Sequence, residues 1–212
     1  IDGRLAGQGR VALPSLVAWM SFGPTLDAAV VFSNAVRLYS IAGNGDTLGY
    51  HTIEEPVPHG FARLGNNAFV ALAGDTAESY TKLYYVDREN AFPLELNDYY
   101  NFGPVVVDLD RDHLPEIVMA TPFGTVRVIT IDTLSDPMQF SASRVYQLYD
   151  TITVNPVVAD IDEDGYADII TCGRNKIYAM NRGFTSLTNF PVTIDVRYPG
   201  AIVISTPVVA DI

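Results

Sequence analysis

The chain has 212 residues, of which 48% are apolar, and this is enough to bury the core of one large all-β domain or two small ones. The formal net charge is −12, which argues against a nucleic-acid partner because phosphate contacts need clustered Lys and Arg. The sequence predicts no membrane span and no signal peptide, since it has no long apolar run and no basic stretch before a short one.

Three short sequence units recur along the chain, which indicates tandem repeats. The first is a proline followed by apolar residues and Asp, at residues 104–108 (PVVVD), 156–160 (PVVAD) and 207–211 (PVVAD). The second is an apolar run, at residues 29–32, 69–72, 116–119 and 168–171. The third is a basic residue that opens an alternating run, at residues 37–41, 82–86, 127–131 and 176–180. Copies of the first and third units are about 45–52 residues apart, which is the period of propeller blades.

Each repeat is predicted to contain several short strands, because runs rich in Val, Ile, Tyr and Thr alternate with Gly, Asn and Pro. No stretch free of Gly and Pro shows helical periodicity. The predicted fold is therefore all-β, a β-propeller of about four tandem blades of short antiparallel strands. A β-sandwich is the alternative, since it also uses short strands, although it does not need tandem copies of one unit.

In chain order, the predicted repeats cover residues 14–57, 58–103, 104–155 and 156–206 of a single propeller segment, with partial blades at 1–13 and 207–212. Residues 1–7 resemble residues 43–49, and the chain ends inside a proline unit. Since a blade stacks on its neighbours, the simplest interpretation is a segment of a longer propeller, with the remaining blades as its partners. In the other interpretation, the two ends pair and complete one shared blade.

The first two repeats carry no acidic loop, because Ala18 and Ala62 stand where a first Asp is expected, and no metal is predicted there. In the third repeat, acids occupy positions 1, 3, 5 and 9 of a nine-residue loop, at Asp108, Asp110, Asp112 and Glu116. Calcium takes six to eight oxygen ligands, and alternate carboxylates on a tight loop supply them on one side. His113 at position 6 would adopt a left-handed conformation at a higher cost than Gly, and Arg111 adds a positive charge.

The fourth repeat carries the most specific motif, with acids at the same positions, at Asp160, Asp162, Asp164 and Asp168. Gly165 at position 6 permits the positive φ that a sharp turn needs, and Tyr166 at position 7 would offer its backbone carbonyl. Four carboxylates this close would repel one another without a cation. The loop is not an EF-hand, because Thr171 stands at position 12 and a strand follows. An acidic turn without an ion is the alternative.

The pattern P-V-V-A-D-x-D-x-D-G-x-x-D-I-I, followed by a basic, apolar, Tyr strand, resembles the FG-GAP/VCBS repeats of integrin α-subunit propellers and of many exported bacterial proteins. The resemblance is close over residues 104–212 and degenerate over residues 1–103. It implies a propeller with Ca²⁺ bound in loops between the first two strands of a blade. The implied ligands are Asp160, Asp162, Asp164, Tyr166 and Asp168 in one loop, and Asp108, Asp110, Asp112, Leu114 and Glu116 in the other.

The resulting hypothesis is a non-catalytic, calcium-binding propeller module that binds a protein or a carbohydrate, as in cell adhesion. Extracellular modules hold calcium weakly, with dissociation constants of about 10⁻⁴–10⁻³ M, which favours a secreted, cell-surface or periplasmic location. The alternative is the scaffold of a polysaccharide-active or redox enzyme whose catalytic residues lie outside this segment, because a fold does not settle a function.

Overall fold

The computed structural model describes residues 16–22, 25–32, 35–41, 47–53, 58–64, 68–75, 80–87, 90–132, 139–194 and 202–209. The chain divides into two compact units, one ending at Tyr99 and the other beginning at Tyr100. Every helix or strand in the described residues is a β-strand, so the prediction of an all-β chain is confirmed. These residues include no helix of the length and apolarity that a membrane crossing needs.

The described strands form four antiparallel sheets of four strands each, and every sheet places its strands side by side in chain order. The first unit contains β1 (Leu16–Phe22), β2 (Thr25–Phe32), β3 (Ala35–Ile41), β4 (Thr47–Ile53), β5 (Pro58–Leu64), β6 (Ala68–Asp75), β7 (Tyr80–Val86) and β8 (Ala91–Leu96). The second unit contains β9 (Val105–Val107), β10 (Glu116–Ala120), β11 (Thr125–Asp132), β12 (Gln139–Gln147), β13 (Val157–Ala159), β14 (Asp168–Cys172), β15 (Lys176–Met180) and β16 (Val192–Thr193). Successive up-and-down sheets of four strands have the topology of propeller blades, which confirms the predicted tandem blades.

The three repeated sequence units correspond to three strand positions in the sheets. The proline unit leads into the first strand of the third and fourth sheets, the apolar unit lies in the second strand of all four, and the basic unit lies in the third. Second strands are central, and β10 and β14 are buried along their whole length. A strand buried on both faces needs a continuous apolar run, which explains why this unit shows no polar alternation.

The sheets fall one by one within the predicted ranges 14–57, 58–103, 104–155 and 156–206, whose limits stay a prediction. Residues 1–13 lie outside the described residues, and residues 207–209 have no regular secondary structure. The strands run from two to nine residues. Cys172 is 1% exposed at the end of β14, and burial raises the pKa of its thiol.

The core of the second unit is shared between its two sheets. Val118 and Val128 of the third sheet belong to the same buried cluster as Ile169 and Met180 of the fourth. Leu109, at the second position of the first acidic loop, is fully buried in this cluster. The loop is therefore fixed to the core by its own side chain, and the packing of two blades sets its position.

Asp150 connects the segment after β12 to the fourth sheet. Its Oδ2 atom accepts a hydrogen bond of 2.8 Å from the Tyr178 hydroxyl, and its Oδ1 atom accepts one of 2.7 Å from the Thr151 amide. Burial, together with the hydrogen bond and negative charge of Asp150, raises the pKa of Tyr178 to about 12. Gly173 borders this pair, because a Cβ atom at that position would collide with the Asp150 carboxylate.

We expect Gly173→Ala to destabilise the protein by about 1–3 kcal/mol, because the added methyl group must displace Asp150 from Tyr178 in a packed site. Urea denaturation measures the loss. Gly103→Ala is the matched control, since its Cβ would meet only Asn155 Nδ2 at an ordinary 3.7 Å. Equal stability of the two variants would contradict the close packing of Asp150 against Gly173.

Candidate metal centre

Both acidic loops connect the first strand of a sheet to the second. Residues 108–115 lie between β9 and β10, and residues 160–167 lie between β13 and β14. The strands pair in the same register in both sheets, because Glu116 lies opposite Val107 and Asp168 lies opposite Ala159. The ninth position of each loop is therefore the first residue of a central strand, paired with the last residue of the strand before the loop.

The two loops share an unusual backbone conformation at positions 4 and 6. Arg111 and His113 have φ values of 62° and 71°, and Glu163 and Gly165 have values of 60° and 90°. The positive φ predicted for Gly165 is confirmed, whereas the left-handed residue at position 4 was not predicted. A left-handed conformation costs His more than Gly, so the 108–116 loop carries backbone strain that the 160–168 loop avoids at position 6.

The same two hydrogen bonds close both loops. The carboxylate at position 9 accepts from the amide at position 2, in Glu116 from Leu109 at 2.8 Å and in Asp168 from Ile161 at 3.0 Å. The carboxylate at position 1 accepts from the amide at position 6, in Asp108 from His113 at 3.1 Å and in Asp160 from Gly165 at 2.9 Å. The loops are therefore built alike, although they differ in charge and glycine content.

Three of the four predicted carboxylates converge in each loop. One oxygen from each of Asp108, Asp110 and Glu116, and likewise of Asp160, Asp162 and Asp168, lies within 4.8 Å of the other two in its group. Asp112 and Asp164 lie outside these groups and cap the backbone, accepting from the amides of Leu114 and Tyr166, each at 2.8 Å. The carbonyl groups of Leu114 and Tyr166 remain predicted ligands.

The acid at position 9 is buried in both loops. Glu116 and Asp168 are each 1% exposed. Burial is the main cause that raises the pKa of Asp168, and repulsion from Asp162, Asp164 and Asp160 raises it further, against the lowering effect of the Ile161 amide. Burial likewise raises the pKa of Glu116, and the negative charges of Asp110 and Asp112 add to it. Each loop thus concentrates negative charge around a carboxylate that is already poorly solvated.

Two oxygens of the 108–116 loop have no hydrogen-bond partner among the described residues. These atoms, Asp108 Oδ1 and Asp110 Oδ1, are buried from solvent. A buried carboxylate oxygen without a donor is costly, and a cation bound by oxygen ligands would satisfy it. The hard oxygen donors of both loops fit Ca²⁺, and Asp108, Asp110, Glu116, Asp160, Asp162 and Asp168 would hold the ion.

Arg182 is a feature of this region that sequence reasoning missed. Its Nη1 atom lies 3.9 Å from Asp110 Oδ2 and donates to the Asp110 carbonyl at 3.4 Å. Its guanidinium carbon lies 4.6 Å from the centre of the Tyr166 ring, and that of Arg111 lies 5.5 Å from the same centre. Arg182 and Asp110 are 72 positions apart, and no spacing rule connects them.

Comparison with known proteins supports this description over part of the chain. Residues 108–171 match the model of the FG-GAP-like repeat, so the resemblance predicted from the sequence is confirmed there. No curated protein matches the chain. Among solved structures, the crystal structure of BBS1N in complex with ARL6DN, soaked with lead, is similar at 9% identity and a TM-score of 0.37, over 85% of this chain and 71% of that one.

We expect Gly165→Ala to lower stability in chelator by about 1–2 kcal/mol, because an L residue at φ +90° is strained. The Arg111 guanidinium, 3.3 Å from the new methyl group, would also have to move. His113→Gly is the reciprocal variant at the equivalent position, and we expect it not to destabilise the protein. Thermal unfolding with chelator measures both, and the opposite order of the two melting temperatures would contradict the shared loop geometry.

Proposed function

We propose that this chain, which carries an FG-GAP-like repeat over residues 108–171, is a calcium-binding propeller module that binds a protein or a carbohydrate outside the cytosol. The observation that carries the proposal is the convergence of three carboxylates in each of two equivalent loops. Buried oxygens of Asp108 and Asp110 that have no hydrogen-bond partner in the described part of the chain support it. The proposed role of calcium is structural, because each loop joins two strands of one blade and needs its negative charge neutralised.

Calcium binding supplies stability that the loops lack on their own. A bound divalent ion stabilises the ionised form of Glu116 and Asp168, whose burial disfavours that form. Calcium at ten times its dissociation constant, binding only the folded state, would add about 1.4 kcal/mol per site. Affinities of about 10⁻⁴–10⁻³ M suit compartments with abundant calcium, which supports a secreted, cell-surface or periplasmic location.

We expect Asp162→Asn to weaken calcium binding at the 160–168 loop by at least tenfold, because it removes a charged ligand from the group of three. Isothermal titration calorimetry measures the affinity, and thermal unfolding with and without chelator measures the coupled stability. Glu163→Gln is the matched control, since it removes the same charge from the same loop at an exposed position outside that group.

The control variant should keep nearly the wild-type affinity, with only the small loss that a more distant charge causes. Two results would count against the proposal. One is a wild-type melting temperature that calcium in the millimolar range leaves unchanged. The other is an equal effect of Asp162→Asn and Glu163→Gln, which would mean that the loop attracts ions only through its overall charge.

A pair of exposed aromatic side chains supports the proposed binding of a partner. Phe123 and Tyr149 are 67% and 92% exposed. Their backbone segments are joined, because the Gln147 side chain donates to the Phe123 carbonyl at 2.8 Å and the Leu148 amide donates to the Gly124 carbonyl at 2.9 Å. Exposed aromatic side chains on adjoining backbone segments are typical of surfaces that bind proteins or carbohydrates. We call Phe123 and Tyr149 the aromatic patch.

We expect the double variant Phe123→Ser/Tyr149→Ser to lose binding to the partner by at least tenfold while calcium binding is unchanged. A glycan array and affinity capture with quantitative mass spectrometry supply the binding profile. Val145→Ser is the control, because Val145 is also an exposed apolar residue of the third sheet, at 53%. A double variant with the wild-type profile would mean that the partner binds elsewhere.

A further inference from the structure

We infer that Arg182 is a built-in counter-cation of the 108–116 loop, supplied by the neighbouring blade, which stabilises the loop without calcium and weakens calcium binding there. The inference rests on the proposed function, because it assigns a residue that adjusts the affinity of one of the two proposed sites. Arg182 lies in the connection after β15, whereas the loop belongs to the third sheet.

The two oxygens of Asp110 face different surroundings. Asp110 Oδ1 is buried and without a hydrogen-bond partner in the described residues, whereas Asp110 Oδ2 lies 3.9 Å from Arg182 Nη1. The same nitrogen donates to the backbone carbonyl of Asp110 at 3.4 Å. One carboxylate oxygen is thus available to an ion while the other interacts with a fixed positive charge, so both cations act on the same ligand.

The turn that carries Arg182 is held in place by several contacts. Arg144 donates to the Arg182 carbonyl at 2.7 Å. The Asn181 side chain accepts from two amides of the turn, at 2.9 and 3.1 Å. The Phe184 ring stacks on the Tyr146 ring of β12, with centroids 5.5 Å apart. The position of the guanidinium is therefore set by the packing of one blade on the next, and its 4.6 Å distance to the Tyr166 ring centroid adds a cation–π contact.

Among the described residues, no basic side chain pairs with a carboxylate of the 160–168 loop, although the guanidinium groups of Arg182 and Arg111 lie beside its Tyr166 ring. The contacts of 4.0 Å or less between a loop carboxylate and a basic side chain in this part of the chain join Asp110 to Arg182 and Asp108 to the His113 imidazole, both in the 108–116 loop. A fixed positive charge beside a ligand reduces the repulsion among carboxylates, but it also repels an incoming divalent ion. The two effects have opposite signs, so the removal of Arg182 should stabilise the calcium-bound loop relative to the calcium-free one.

The test uses the full chain with Asp160→Asn and Asp162→Asn as background, so that calorimetry reports the 108–116 loop alone. In this background we expect Arg182→Met to tighten calcium binding by about threefold to tenfold, and more at low than at high ionic strength. In chelator, we expect the same change to lower the melting temperature by about 1–3 °C. Arg182→Lys should retain the wild-type behaviour in both measurements.

Arg174→Met is the matched control, because Arg174 lies in the same sheet but in the turn between β14 and β15, at the end away from the loops. Arg174→Met should change the calcium affinity and the melting temperature in chelator only by the small effect of one less positive charge. An affinity in Arg182→Met that equals that of Arg174→Met, or falls below it, would overturn the inference.

A double-mutant cycle of Arg182→Met and Asp110→Asn in chelator separates this inference from the proposed function. We expect non-additive melting temperatures, because each change removes the same ion pair. An additive cycle would overturn the inference, whatever calcium does. A non-additive cycle in a protein that binds no calcium would overturn the proposed function alone and leave the counter-cation role of Arg182 standing.

Discussion

The acidic loops depend on a carboxylate buried at the start of a central strand. Glu116 and Asp168 each occupy the first position of a strand that is covered on both faces. A carboxylate there loses most of its hydration, so it requires a hydrogen bond, which the amide at loop position 2 donates. The loop must therefore turn back tightly above the strand, and the two left-handed residues make that turn. The same turn brings the acids at positions 1 and 3 beside the buried one.

This constraint explains why the four sheets differ at the junction of their first two strands. In the first and second sheets, a first strand of seven residues is followed after two or three residues by the second strand, and Ala18 and Ala62 lie within those first strands, paired with Ala29 and Val70. In the third and fourth sheets, the first strand shortens to three residues, followed by an eight-residue loop. The loop-bearing sheets thus have fewer hydrogen bonds between their first two strands, and amide–carboxylate hydrogen bonds of the acidic loop take their place.

Much of this organisation could be predicted from sequence, because the strands follow apolar patterning and the acids follow a fixed spacing. The left-handed turn at Gly165 could also be predicted, since only glycine adopts this φ without strain. The left-handed residue at position 4 could not be predicted, because Arg111 and Glu163 carry no conformational preference for it. Nor could spacing alone separate the acids that converge from Asp112 and Asp164, because an Asp side chain also accepts from the amide two residues later. Arg182 acts across two blades, so only their packing reveals it.

The comparison of the two loops separates geometry from charge. Their left-handed positions and closing hydrogen bonds are the same, so differences in cation affinity would arise from the side chains at positions 6 and 9 and from the surrounding charges. The 160–168 loop combines glycine with five acids, including Glu163, whereas the 108–116 loop combines His113 with Arg111 and the neighbouring Arg182. Because Arg182 comes from the next blade, its charge can change without any change in the ligands. With the role proposed for Arg182, affinity at one loop would depend on blade packing, and a repeat would keep its ligand geometry while a neighbouring blade adjusts how strongly it binds.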